Sequence, residues 1–364
     1  MTVARPAPPR SIHLWRHTPW TWMAPDAAVV ESLHVNVHPP SPSCLADGGG
    51  VDLHAAGKDR FSTMVHAHEY TRPDVEDVAR ATLDDAVEGG HQLDLHGDLS
   101  EVIHVDLVAN GEAVAGRLHV RCTGHATLHL HLSGDASWCG LHLTGDVTDG
   151  AHLAVAVTDE LGKHARFLRC DDWNIGRDAR LISGTLSTGG FRRKSDLRHH
   201  LNATGGDVRI GIGVHGRGER HDDHHVEIHH HLGHTTSSLV ANTACGDASR
   251  SIGTGRLVIA PGADGSDAGQ VFRNLLLSES ARADAIPELE VLADDVAAAH
   301  GAASAAIDEG QVHYLMCRGL DRASAEDLVV EGFLAAAFSE LNHDRLVGVL
   351  RDRLIVHLDC AQEW

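Results

Sequence analysis

Residues 126–134 read ATLHLHLSG, with Leu128, Leu130 and Leu132 on one parity and His129 and His131 on the other. Alternation of period two marks a β-strand with one face in a core and the other in solvent. The same grammar runs outward in both directions: HQLDLHGDLS (91–100), EVIHVDLVAN (101–110), GRLHVRC (116–122), GLHLTGDV (140–147) and AHLAVAVTD (151–159). It continues through GDVRIGIGVHG (206–216), HHVEIHHHL (224–232) and GRLVIAPG (255–262), with Gly, Asp, Asn or Ser between the runs. Many short strands with glycine turns admit a sandwich, a barrel or a solenoid, and their irregular spacing does not choose among them.

Composition narrows the function classes. The 364 residues are 42% hydrophobic, enough for a core, but only 4% aromatic, with 37 Gly and 31 His. Such a core is filled with Leu, Val, Ile and Ala in thin layers. Asp and Glu number 51 against 30 Lys and Arg, a net charge of −21 that repels phosphate backbones, so nucleic acid is a poor partner. Seven cysteines are widely spaced with no CxxC, which encodes neither a disulfide framework nor a zinc ribbon. Met1 to Pro9 has no secretory apolar run, and no stretch of about 18 apolar residues occurs, so a cytoplasmic chain with no membrane span is expected.

The flanks differ from the middle. Residues 1–91 form an N-terminal region, with a loop over Pro39–Gly50 and a helix suggested by Val75, Val78, Ala79, Leu83 and Val87. Residues 92–306 hold the strands. Within them 289–306, LEVLADDVAAAHGAASAA, is ambiguous between strand and alanine-rich helix. Residues 307–364 are helical. Asp308 caps a helix through Val312 and Leu315 ending at Gly319, and Ser324 with Asp327 forms a near capping box. The following stripe holds Leu328, Phe333 and Ala337, and a last helix holds Leu346, Leu350 and Leu354.

Candidate chemistry is sparse. In HGRGERHDDHHVEIHHHLGH (215–234), a strand over 224–232 puts His225, Glu227, His229 and His231 on one face, and His224, Val226, Ile228, His230 and Leu232 on the other. Alternate residues stand about 6.6 Å apart, too wide for one tetrahedral ion without help from a neighbouring strand, so a solvated polar ladder is favoured over a metal site. FRRKSDLRHH (191–200) is the one dense basic run, either paired within the chain or a docking surface. No GxGxxG, GxxxxGK[ST] or GxSxG stands in its required setting, which leaves no encoded nucleotide pocket or nucleophile elbow. His300, among small residues, reads as structural. Cys317 reads as a buried small hydrophobe more readily than as a thiolate ligand.

Several ordered stretches resemble the SufB/SufD family, SufD more than SufB: HHVEIHH with TTSS after it, GRLVI, GQVFRNLLLSESARADAIPELEVLADDVAAAHGA and YLMCRGLDRASAEDLVVEGF, with LWRHTPW (14–20) echoing the family's amino-terminal segment. The resemblance implies an all-β core, a right-handed parallel β-helix with a C-terminal α-helical domain and a mixed N-terminal region. It places 289–303 at the end of that β-helix. It also implies a non-catalytic scaffold subunit, pairing with a SufB-like homologue through β-helix strands and carrying a SufC-like ABC ATPase on the helical domain around Leu328, Phe333 and Phe338. An iron-sulfur cluster would be built transiently at the junction. His300 falls where the family's cluster-assembly histidine stands, which reverses its structural reading, with Cys317 a weaker second candidate. Ala298 stands where a cysteine is frequent, so the partner is expected to supply the main thiolates. A flavin accompanies some complexes of the family, and no pocket for it is legible here. Self-pairing as a homodimer stays open. A carbohydrate-active β-helix or cupin-like enzyme and a histidine-rich metal-binding protein are the rival readings.

Overall fold

The computed structural model describes residues 13–26, 30–41, 44–45, 49–57, 77–87 and 89–360. Met1–Pro9, Val75 and parts of the Pro39–Gly50 loop lie outside the described residues. The central chain is a β-helix. It climbs by alternating between two parallel sheets, one strand in each per turn, for eight turns. The first sheet holds Gly89–His96, Ala113–Cys122, Trp138–Val147, Arg166–Ile175, Arg192–Leu201, His221–His230, Arg250–Ile259 and Arg282–Val291, stacked in that order. The second holds Asp98–Val108, His125–Gly134, His152–Leu161, Arg180–Ser187, Asp207–Gly216, Thr236–Cys245, Asp267–Leu276 and Ala297–Ala306. The stretch 289–306 is therefore the last rung, against its alanine-based helix propensity, because pairing with the rung before it outweighs local preference.

In-register stacking follows from the turns. Asp178 and Asp247 sit at positive φ, and each turn is stitched to the next: the Arg177 amide donates to Asp149 Oδ1 (2.8 Å) and the Gly218 amide to Asp247 Oδ2 (2.8 Å). Between the sheets lies an aliphatic core that includes Leu128, Leu130, Leu132, Val155, Val157, Ile210, Ile212, Val226 and Ile228.

The outer faces are not left to solvent, which revises the half-buried strands expected above. Over the first sheet pack α1 (Trp20–Met23) and α2 (Val78–Ala86), where Trp15, Trp20, Met23 and Leu83 meet Ala115, Trp138, Leu168 and Cys170. The LWRHTPW segment is thus a cover. Thr18 is fully buried, donating to Asp223 Oδ2 (2.5 Å) and hydrogen-bonding with His221 Nε2 (2.8 Å).

Over the second sheet pack α4 (Arg322–Ser339) and α5 (Asp344–Cys360), with α3 (Glu309–Cys317) packed on α4. Helices α4 and α5 bury Leu334, Phe338, Leu346, Leu350 and Leu354 against Ala154, Ala156, Ile182 and Val240. Asp308 caps α3 through the Gly310 amide (2.8 Å), and Gly319 follows its end at φ 102°. The cap of α4 differs from the expected one. Asp321 accepts from the Ser324 amide (2.8 Å), so Ser324 and Asp327 lie inside the helix. Among the described residues no helix is long and apolar enough to cross a membrane.

Candidate partner interface at the open end of the stack

The two ends of the β-helix differ. At the start, Gly50–Gly57 pairs antiparallel with Gly89–His96, and His34–Val37 pairs antiparallel with Asp98–Val108; these strands are the terminal ones of their sheets, and their Val35, Val37 and Val51 cap the core. At the other end Arg282–Val291 and Ala297–Ala306 are edge strands among the described residues. Their side chains are half-buried or exposed, whereas the middle rungs are buried on both faces. Ala285, Leu289, Val296 and Ala298 touch the aliphatic core yet remain partly open, so this end is a cut cross-section of the core bordered by two unpaired edges. Such an edge offers backbone donors and acceptors for strand addition.

His300 stands on this rung, in register with Gln270 on the strand before it. It shares parity with core-facing Ala298, so it belongs to the inward side of the open end, and it is exposed. Beneath it Gln270 is fully buried. Its amide donates to the Glu288 carbonyl (2.8 Å), while its Oε1 has no hydrogen-bond partner. Gly253 and Gly255 in the SIGTG segment make the room: a Cβ at Gly253 would lie 2.8 Å from Phe272, and one at Gly255 would strike Gln270 Oε1. Nothing in the sequence around Gln270 marks it for this place. The signal that could have found it is the pair of glycines two residues apart in a strand.

The remaining candidates separate. Leu328 is 46% exposed on α4, with Tyr314, Met316 and Leu320 also exposed on and just after α3. Phe333 is half-buried. Phe338 corrects the expectation that it faces a partner: it is wholly buried, its ring against Gly213. Cys317 corrects the reading as a buried hydrophobe. It is exposed, 3.6 Å from His313 Nε2, because α3 packs on α4 through its other side. It shares no cluster with His300 among the described residues. Cys360 is exposed as well, and the other five thiols are buried. Burial pushes Cys122 up to about 11 and Cys139 and Cys245 up to about 12, so these are protonated and unreactive near neutrality.

The histidine-rich stretch is a hydrogen-bonded fabric. The strand ends at His230, leaving Leu232 exposed, and His225 is buried instead of solvated, in register with buried Asp196, which Arg80 of α2 reaches. Glu227 bridges His225 Nε2 (2.8 Å) and His229 Nε2 (2.9 Å), and the rings of His200, His229 and His231 stack. Among the described residues no three His, Cys, Asp or Glu side chains converge on one point. The basic run 191–200 resolves as pairing within the chain. Arg193 pairs with Asp159 inside the β-helix, Lys194 with Asp223 (2.8 Å) and Arg198 with Asp196 (2.9 Å).

The family model for the SUF system FeS cluster assembly SufBD core domain matches residues 106–333, from the end of the first turn of the β-helix into α4. The chain belongs to the SufBD family. Relatives include the iron-sulfur cluster assembly protein SufD of Bacillus subtilis, 34% identical over 46% of this chain and 38% of that protein. The SufD of Escherichia coli is 26% identical over 67% of this chain and 55% of its own. A SufBD family protein of Mycobacterium tuberculosis is 28% identical over 71% and 67% respectively. The chain thus spans between about two fifths and two thirds of the length of these relatives. The SufBD core match takes in Gln270, His300 and the whole open rung.

Proposed function

We propose that this SufBD-family chain is a non-catalytic scaffold subunit whose open rung pairs with a homologous subunit, and that iron-sulfur cluster is assembled at that junction as cargo. The observation that carries the reading is the asymmetry of the stack: at one end antiparallel strands cap the core, while the other leaves its core uncovered and bears His300 on the inward side. A neutral imidazole there can ligate iron, and the scarcity of accessible thiols in this chain assigns the main sulfur ligands to the partner. The exposed apolar residues around Leu328 and Tyr314 suit a second partner, an ATPase that supplies the work, with the helical unit transmitting it through its broad packing on the second sheet.

Two variants test this in a complex reconstituted from this chain, a SufB-type homologue and the ATPase. Ala302→Lys puts a charge in the open cross-section, opposite Phe272, and is expected to abolish association with the homologue while leaving the free chain folded. His300→Ala is expected to keep association and lower cluster yield at least about tenfold, the loss typical of a disrupted metal-site residue. Association that survives Ala302→Lys sinks the interface, and full yield from His300→Ala removes the residue from the site. Self-association of the purified chain through the same rung is the specific alternative, and the same Ala302→Lys variant would abolish it.

A further inference from the structure

Far from the open rung, a cavity of about 290 Å³ lies where the outer face of the second sheet, near its early turns, meets the turn between α4 and α5. Its polar wall is Arg180, His125 and His152 from the strands and His343 and Arg345 from the helical side, and its described lining contains no acidic residue. In a chain with 51 acids against 30 Lys and Arg, a concave site lined by two arginines and three histidines, and by no acid, stands out. Ala154 and Ile182 give it an apolar floor. The acids nearby stand outside the lining: Asp207 pairs with Arg180 Nε (2.8 Å) and Asp98 with His125 Nδ1 (2.9 Å), which orients these groups without filling the cavity. The His125 and His152 rings stack at 4.6 Å, and Arg345 makes one long bond to the Leu99 carbonyl (3.4 Å), leaving most of its donor fork uncommitted.

We propose that this cavity binds the phosphate group of a small phosphorylated ligand, held between Arg180 of the β-helix and Arg345 of the helical unit. A phosphate offers several strong acceptor oxygens, which suits two guanidinium forks and imidazole donors converging from different elements, and an apolar floor accepts the non-phosphate part. Because the two arginines belong to different structural units, the bound ligand clamps the helices to the stack. The proposal is independent of the iron-sulfur reading.

The test is calorimetric titration of the full chain with phenyl phosphate, inorganic phosphate and benzoate, paired with the unfolding midpoint in each. Saturable binding of both phosphate probes with a raised midpoint is expected, phenyl phosphate binding tighter than phosphate, and benzoate weaker than either. Arg345→Gln, at an exposed position, is expected to weaken phenyl phosphate about tenfold, the loss of one charge-assisted contact. Lys163→Gln, an equal change of net charge at an exposed turn outside the lining, is expected to leave affinity unchanged. No saturable binding, equal affinity for benzoate, unchanged affinity in Arg345→Gln, or an equal loss in Lys163→Gln overturns the proposal. Both substitutions are at exposed positions, so the folded chain carries the test.

Discussion

Replacing Arg80 by Met would uncouple the N-terminal cover from the β-helix. Arg80 is fully buried on α2 and reaches three carboxylates: Asp172 through Nε (2.8 Å), Asp77 through Nη1 (3.3 Å) and Asp196 at closer range. It also donates to the Asp171 carbonyl (2.9 Å). Methionine keeps much of the volume but removes the charge, leaving Asp172 to His142 and leaving Asp77 and Asp196 to Arg198. Breaking a buried ion pair by removing one partner costs about 3–5 kcal/mol. Burial alone would raise Asp172, but the Arg80 charge and the His142 hydrogen bond outweigh it and hold its carboxyl well below the usual range. A depressed carboxylate contributes stability above its unfolded pKa and loses it as pH falls through the folded value, so at pH 7 the contribution is whole. In the variant the Asp172 and Asp196 carboxyls rise, and part of the penalty disappears as they protonate on acidification. Chemical denaturation at pH 7 and pH 5 would show the deficit, larger at pH 7, while hydrogen exchange would show α2 losing protection and α4 keeping it. A deficit below about 1 kcal/mol at pH 7, or one that grows on acidification, would refute the reasoning.

Other outcomes follow from the same kind of geometry. Phe338→Ala empties the site against Gly213 and is expected to cost about 3–5 kcal/mol, read as α4 and α5 exchanging before the β-helix. In native protein, two of the seven thiols, Cys317 and Cys360, should react promptly with a disulfide reagent, and all seven after denaturation; more than two prompt thiols would contradict the burial. His215 and His357 meet at 3.0 Å between the second sheet and α5, and burial first, then Arg217 and Arg220, hold His357 down at about 3. His215 is likewise depressed, chiefly by burial and then by His357. A depressed histidine stabilises the fold above its unfolded pKa near 6.5 and withdraws that stability as pH falls. By pH 5, fully buried His215 should therefore have cost about 2 kcal/mol. His215→Asn should flatten that decline, and an unchanged slope would argue against it.

Much of the architecture was legible because strand parity is local. Leu128, Leu130 and Leu132 announced an inward face from nine residues, and Asp308 and Gly319 announced both ends of α3. Parity could not tell what covers the outward face. His129 alternates like a solvated residue, yet it is buried, hydrogen-bonding with Thr158 Oγ1 at 2.9 Å. The cover on His221 is Thr18, 203 residues away, a distance at which no spacing rule operates. Phe338 differs for a related reason: the resemblance alone points it at a partner, and a phenylalanine in an apolar helix reads the same whether its cleft is a partner or Gly213 of the same chain. Of the candidate site, His300 was reached through ordered motifs and not through its own neighbours, which are alanines and glycine. Gln270 was missed because its environment comes from two other strands.

The capped start and open finish of the stack bear on how a second chain can join. Among the described residues, the core at the start is already covered by Val35, Val37 and Val51, so an approach there meets strand edges with little apolar cross-section left to bury. At the finish both are on offer, and two chains meeting at their open rungs would pair strands and bury core in one step. A junction formed there sits mid-way along one continuous column.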